Sequence, residues 1–143
     1  MIGQAGAAVV DSTLLARGIP IVSALEGQAW DRMALLGSEA VTIQVKTTTR
    51  LQPCGSYAWA IACGYRNSPR GRRAYESMAF TLLACVVLPR YAVRFFAPGP
   101  TRVTMRPEEI PGVLRDPLAS WRQALHDVGL GRLSGPEPDD APF

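Results

Sequence analysis

The feature that most limits how this chain can fold is a pair of strand-like stretches separated by a short polar turn. Residues 28–36 and residues 40–50 are rich in apolar and β-branched side chains, and Gly37-Ser38-Glu39 lies between them. Such stretches are typical of strands, and a turn this short joins two strands that run antiparallel. The sequence therefore predicts a β-hairpin over residues 28–50.

The second strand of this hairpin is expected to have two chemically different faces, because successive side chains of a strand point to opposite sides. One face carries Thr42, Gln44 and Lys46, and the other carries Val41, Ile43 and Val45. Lys46 is the only lysine of the chain, and the other basic side chains are arginines. Arginine cannot replace the compact ammonium group of lysine on a short, fixed reach, so we interpret Lys46 as functional. Chance survival of one lysine at a strand end is the alternative.

Further helix and strand patterns surround the hairpin. Residues 6–17 carry an apolar stripe at three-to-four spacing, which predicts a helix that ends at Gly18. The run of residues 80–88, in which every residue except Thr81 is apolar, predicts a central strand that is buried on both faces. Other predicted strands are residues 19–24, 57–64 and 91–97, and residues 117–128 are a predicted helix with Asp116 as its N-cap. The sequence thus predicts an α/β fold with a central mixed β-sheet flanked by α-helices.

Length and composition are those of one globular domain. The chain has 143 residues, 48% of them hydrophobic and 19% charged, with a formal net charge of +3. We expect one domain over residues 1–133 and a disordered tail over residues 134–143, which are rich in proline and aspartate. The cysteines at positions 54, 63 and 85 have no metal-type spacing and are expected to be free or buried thiols. No signal peptide is evident, and no apolar run reaches the ~18 residues of a membrane span, so a cytoplasmic location without membrane contact is expected.

The hairpin is expected to bring one acid close to two polar residues. Asp31 lies in the first strand of the predicted hairpin, across the turn from Gln44 and Lys46. The Asp31 carboxylate, the Gln44 amide and the Val45 main-chain carbonyl supply oxygen ligands that suit a divalent cation. Lys46 would stabilise negative charge on a phosphate or position an attacking water. These groups together indicate phosphoryl-type chemistry; a solvated Asp31 and an exposed-face Gln44 are the alternatives.

Other common chemistries lack their residues. His126 is the single histidine and lies near the end of a predicted helix, without partners for a nucleophilic triad. A zinc site needs more Cys and His than the chain has. The chain also contains no GxxxxGK[ST] or GxGxxG loop that would cradle phosphates.

Asp31 followed by Ile43-Gln44-Val45-Lys46-Thr47 resembles the motif of the PD-(D/E)xK nuclease superfamily, which has the restriction-endonuclease-like fold. The similarity is to its homing-endonuclease and Holliday-junction-resolvase-like branches, in which glutamine can replace the acid of the ExK pair. Residues 6–22 are similar to the opening helix and first strand of that family, and residues 75–98 resemble its later strands. The likeness covers roughly residues 3–105 and is loose outside the motif.

This resemblance implies a metal-dependent DNA endonuclease. Asp31, Gln44 and Lys46 would be its catalytic residues. Asp31, Gln44 and the carbonyl of Val45 would hold Mg²⁺ or Mn²⁺. A homodimer is expected, because DNA has two strands. Arg50 and the arginine-rich loop residues Arg66, Arg70, Arg72 and Arg73 are candidate phosphate contacts, since an Arg fork matches phosphate oxygens; a solvated loop is the alternative.

The chain departs from the family pattern at three places. Ala7 stands where the opening helix usually carries a glutamate, Trp30 precedes Asp31 where proline is common, and Ala79 lies where an acid often precedes the later strand. Asp11, one helical turn after Ala7, is a possible substitute metal ligand, and a surface position is its alternative. The departures keep a second function open, namely a catalytically inactive nucleic-acid-binding or interaction module on the same fold. A structural protein with no nucleic-acid role is a third.

Overall fold

In the computed structural model of the chain, residues 1–61 and 80–134 are described. The helices are α1 (Ile2–Leu15), α2 (Ile110–Arg115) and α3 (Ala119–Asp127). The strands are β1 (Ile21–Ser23), β2 (Arg32–Leu36), β3 (Glu39–Thr48), β4 (Tyr57–Ala60), β5 (Leu82–Val87), β6 (Ala92–Phe96) and β7 (Arg102–Met105). Across these described ranges, no helix is both long enough and apolar enough to cross a membrane.

A mixed five-stranded sheet forms the centre, with the order β1-β2-β3-β5-β6. Strand β3 runs parallel to β5, and the other neighbouring strands pair antiparallel. The predicted hairpin is confirmed: Leu36 pairs with Glu39 across the turn, and Gly37 adopts the left-handed conformation with φ 65° that such a turn requires. Because this sheet is accompanied by helices, the predicted α/β fold with a central mixed sheet is confirmed.

Helices α1 and α3 cover one face of the sheet. The buried side chains of this face include Val41, Ile43 and Val45 of β3, as their alternation predicted. Trp121 of α3 packs edge-on against Phe95 of β6, with 5.1 Å between the ring centroids. The other buried members of this core are Ala7, Val9, Val10, Leu14, Ala34, Leu82, Ala84, Val86, Val93, Ala124 and Leu125.

The opposite face of the sheet is covered by α2 and by a separate two-stranded ribbon of β4 and β7. Trp59 of β4 is buried there, and its indole Nε1–H donates a 3.2 Å hydrogen bond to the carbonyl of Val86 in β5. Leu83 and Cys85 of β5 lie beneath this cover. Strand β5 is therefore buried on both faces, as its apolar run predicted.

Several details differ from the sequence-based expectations, including the strand bounds: β2 begins at Arg32 rather than near residue 28. Strand β7 and helix α2 were not predicted, and α1 begins at Ile2 rather than near residue 6. The predicted N-cap at Asp116 is wrong, because α3 begins at Ala119 and Asp116 instead follows the end of α2. The Asp116 carboxylate accepts a 2.8 Å hydrogen bond from Arg122. Helix α3 lies within the predicted helix of residues 117–128 and buries Trp121 and Leu125.

The turn before α2 is tied to the sheet by Glu109. Its carboxylate accepts hydrogen bonds from the main-chain N–H of Arg106 at 2.7 Å and from the guanidinium of Arg94 in β6 at 2.9 Å. The main-chain N–H of Arg106 holds the pKa of the Glu109 carboxyl below its usual range; burial opposes this shift, and the hydrogen bond and charge of Arg94 add to it. The ionised form is therefore the one that stabilises this turn.

We expect Glu109→Gln to lower the free energy of unfolding at pH 7 by less than about 1 kcal/mol. The side chains of Glu109 and its partner Arg94 are each about one-third exposed, so solvent weakens their ion pair. The pKa of Glu109 is lower in the folded than in the unfolded chain, so this contribution is present above the unfolded pKa and is lost as the pH falls through the folded one. Thermal unfolding of both proteins from pH 7 down to pH 3 checks this. A difference that grows as the pH falls would contradict it.

Candidate functional site

Asp31 is held in place where the pairing of β2 with β3 ends. Its main-chain N–H donates a 2.8 Å hydrogen bond to the carbonyl of Ile43, and its own carbonyl accepts from Ala24 at 2.9 Å and from Arg32 at 3.0 Å. Carboxylate Oδ2 accepts a 2.8 Å hydrogen bond from the N–H of Val45, as a neighbouring strand would. Asp31 lies just before β2, not within it, and it is fixed by these contacts rather than being a freely solvated strand residue.

Strand β3 extends beyond the start of β2. Its residues 39–43 pair with β2, whereas residues 43–48 pair with β5 on the other side. Beyond Ile43, the β2-facing edge of β3 is therefore taken up by the Asp31 carboxylate instead of by a strand. The carbonyl of Val45 accepts a 3.4 Å hydrogen bond from Nε2 of Gln44. Three of the predicted ligand groups thus meet at this edge.

Gln44 is only 9% exposed, so it is not the plain exposed-face residue of the alternative interpretation. Buried polar side chains require hydrogen-bonding partners, and the amide of Gln44 finds one in its own strand. The cover over this face comes partly from Trp30, which packs against the same apolar cluster as Trp59 and Phe80. The Gln44 amide, the Val45 main chain and the Asp31 carboxylate therefore form one compact group of polar atoms.

Lys46 lies two residues further along β3, opposite Cys85 of β5, so alternation places it on the face of Gln44. It is partly buried. Burial raises the pKa of the Cys85 thiol far above its usual range, while the charge of Lys46 lowers it. Cys85 is therefore an inert core thiol, and the ammonium group of Lys46 lies close enough to influence it.

The predicted candidate Asp11 is engaged elsewhere. Its carboxylate accepts two hydrogen bonds from Arg32, from Nε at 2.7 Å and from Nη2 at 3.2 Å. Arg32 pairs with Ile43 across the hairpin, so it lies on the α1 side of the sheet, whereas Gln44 lies on the opposite side. The structure therefore brings Asp31, Gln44, Val45 and Lys46 together and places Asp11 beside them, in contact with Arg32.

Sequence reasoning did not identify Arg32 as a neighbour of the candidate site. Its position next to Asp31 was the only available signal, since nothing in the sequence links it to Asp11, which lies 21 residues earlier. Of the candidate phosphate contacts, Arg50 is exposed and follows the end of β3. Arg66, Arg70, Arg72 and Arg73 lie outside the described residues. Trp59 and Trp121 are core side chains.

The donor set at the edge of β3 fits a hard divalent cation. The described residues contain no group of three or more His, Cys, Asp or Glu side chains suited to a metal. The available groups are all oxygens: a carboxylate, an amide and a main-chain carbonyl, which suit Mg²⁺ or Mn²⁺. A half-turn of the Gln44 amide exchanges Nε2 for Oε1. The Gln44 Oε1 and the Val45 carbonyl oxygen would then both face a cation. With a single carboxylate, such a site would bind the cation weakly by itself and more tightly once substrate phosphate oxygens add their charge.

No protein-family model and no curated protein matches the chain. A similar solved structure is that of a bacterial homing endonuclease, I-Ssp6803I, with a TM-score of 0.64. The two chains are 15% identical, and the likeness covers 73% of this chain and 75% of the other. The chain therefore has an α/β fold that is also the fold of an endonuclease.

Proposed function

We propose that this protein is a metal-dependent endonuclease that hydrolyses DNA phosphodiester bonds, with a QxK variant of the PD-(D/E)xK motif. One observation carries the proposal: the Asp31 carboxylate, the Gln44 amide and the Val45 carbonyl meet at the open edge of β3, with Lys46 on the same face as Gln44. Likeness in fold to a bacterial homing endonuclease supports it. The same sequence elements that resemble the nuclease motif are those that the fold brings together.

Each of the four residues has a separate task in this proposal. Asp31, fixed by the N–H of Val45, would hold a carboxylate oxygen towards a cation, and the Val45 carbonyl and the Gln44 amide, once turned to present Oε1, would add neutral oxygens. A bound Mg²⁺ would supply Lewis-acid polarisation of the scissile phosphate and a more acidic water. Lys46 places its positive charge where negative charge accumulates on the phosphoryl oxygens, or orients the attacking water.

DNA binding in this proposal draws on arginine contacts with phosphates. Arg50 is exposed just past β3, and the loop residues Arg66, Arg70, Arg72 and Arg73 are the other candidates. We further propose that two copies act together, because one site of this kind cleaves one strand of a duplex. Sedimentation of the protein with and without DNA tests the dimer, and a monomer on DNA at a ratio of one chain to one duplex would contradict it.

The proposed activity is tested by incubating the protein with supercoiled, branched and single-stranded DNA and either Mg²⁺ or Mn²⁺. Cleavage is expected with either cation and is expected to disappear when the cation is chelated, because in this proposal the cation is the Lewis acid that polarises the scissile phosphate and activates the water. The activity must co-elute with the protein through successive chromatographic steps. Equal cleavage with and without the chelator would contradict a metal-dependent mechanism.

A second function is favoured by the small number of acids at the site. Among the described residues that form the site, Asp31 is the only carboxylate; Gln44 and Ala7 stand where the family that the motif resembles usually carries acids. These departures suit a nucleic-acid-binding or interaction module that has lost catalysis. Such a module would bind DNA with an affinity that falls as salt rises, since phosphate contacts release counterions, but would leave the DNA intact.

A further inference from the structure

Arg32 connects α1 to the candidate metal ligand. Its guanidinium donates to both oxygens of Asp11 on one side and, through Nη1, to the main-chain carbonyl of Asp31 at 3.0 Å on the other. The ion pair is largely shielded from solvent, with the Arg32 side chain 19% exposed and that of Asp11 28% exposed. A planar guanidinium held at three oxygens has little freedom to move.

The contact at Asp31 falls on the residue that the proposed site depends on most. The same Asp31 carbonyl also accepts from Ala24, and its carboxylate accepts from Val45. Arg32 therefore fixes the main chain of Asp31 from the α1 side of the sheet, while Val45 fixes the carboxylate at the edge of β3. Outer contacts of this type orient a metal ligand without touching the metal.

Arg32 also brings a positive charge close to a site meant for a divalent cation. An uncompensated guanidinium in contact with Asp31 would repel the cation and attract the Asp31 carboxylate away from it. Asp11 removes that conflict, because its two oxygens neutralise the charge and direct it away from the edge of β3. The pair can therefore anchor Asp31 without reducing the affinity for the metal.

We propose that Asp11 and Arg32 are positioning residues for the metal site: Arg32 anchors Asp31 through its main-chain carbonyl, and Asp11 neutralises Arg32. This inference rests on the proposed function, since it assigns a role towards a metal held by Asp31. It also gives Asp11 a different task from that of a direct ligand. The acid on α1 acts through Arg32.

The test measures Mn²⁺ binding by the DNA-free protein, using the relaxation of water protons, together with thermal unfolding of each variant. Asp11→Asn leaves the charge of Arg32 uncompensated and is expected to weaken Mn²⁺ binding about tenfold. Asp11→Glu keeps the charge and should stay within about threefold of wild type, as the conservative variant of a positioning residue. Glu39→Gln is the matched control, because it breaks an exposed ion pair with Arg132 at the other end of β3.

The double variant Asp11→Asn with Arg32→Gln separates this role from a merely structural one. It removes the uncompensated charge, so it should bind Mn²⁺ more tightly than Asp11→Asn alone, even if both unfold at a lower temperature than wild type. Two results would overturn the inference: wild-type affinity in Asp11→Asn, or a double variant that binds Mn²⁺ no more tightly than Asp11→Asn alone. Failure of the wild-type protein to bind Mn²⁺ would instead remove the metal site itself, and this inference with it.

Discussion

Replacing Lys46 by alanine is expected to slow DNA cleavage by about 10²–10⁴-fold, the range over which a single charge-stabilising or proton-transferring group contributes. Lys46 lies on the face of Gln44, two residues from it, and its ammonium group is the positive charge that β3 brings to the proposed site. The fold should survive, because Lys46 is only partly buried and the apolar contacts of β3 lie on the opposite face. Single-turnover cleavage at saturating Mg²⁺, with thermal unfolding of both proteins, provides the measurement.

Two further variants sharpen this prediction. Lys46→Arg keeps the positive charge but replaces a compact ammonium group by a larger planar fork, so it should recover little of the lost rate. Arg17→Ala removes an exposed cation after α1, and it should cleave like wild type. A Lys46→Ala protein that cleaves within about threefold of wild type would exclude the assigned role, since a loss that small is far below the contribution of a catalytic group.

The grouping of Asp31, Gln44 and Lys46 was predictable from the sequence because it depends on local structure. A short turn at Gly37 sets the register of the hairpin, and strand alternation then decides which side chains share a face. Neither step requires knowledge of distant parts of the chain. The same reasoning correctly grouped Ile43 with Val41 and Val45 on one face, and this face is buried.

The surroundings of that group were not predictable in the same way. Gln44 is buried partly because Phe80 and Trp59, from later parts of the chain, belong to the cluster that covers its face. The contact of Arg32 with Asp11 depends on where α1 crosses the sheet, which no local pattern specifies. Tertiary packing therefore decides the burial and the electrostatics of the site, whereas the local sequence pattern decides only which residues belong to it.

Strand β7 and helix α2 were not predicted for the same reason: they depend on contacts with segments that are distant in sequence. Strand β7 has four residues, of which Arg102 and Thr104 are exposed, so its apolar signal is very short. It forms because β4, which lies more than 40 residues earlier, provides an antiparallel partner for it. Helix α2 has six residues and contains Pro111 and Gly112, which weaken any helical pattern. Short elements of this kind are stabilised by partners distant in sequence rather than by their own propensity.

Gly6→Ala is expected to reduce the free energy of unfolding by about 1–3 kcal/mol, although alanine favours helices more than glycine does. Helix α1 crosses β3 at this point, and a Cβ at position 6 would overlap with Oγ1 of Thr47 and lie 2.9 Å from its Cβ. Thr47 follows Lys46, so the seat of α1 also sets the position of the proposed catalytic strand. Urea-induced unfolding provides the measurement. Adding Thr47→Ala should recover part of the loss, because it removes the overlapping hydroxyl.

Gly3→Ala is the matched control for this prediction. Gly3 lies on the same helix, and an added Cβ there would meet nothing within 4 Å, so the substitution should stabilise the protein by about 0.5–1 kcal/mol through helix propensity alone. If Gly6→Ala lowers the free energy of unfolding and Gly3→Ala raises it, the pair separates the cost of the contact with Thr47 from the gain in helix propensity. A stabilised Gly6→Ala protein would mean that α1 does not approach β3 this closely. The same result would remove the basis for placing Asp11 of α1 in contact with Arg32, because both contacts depend on how the helix lies on the sheet.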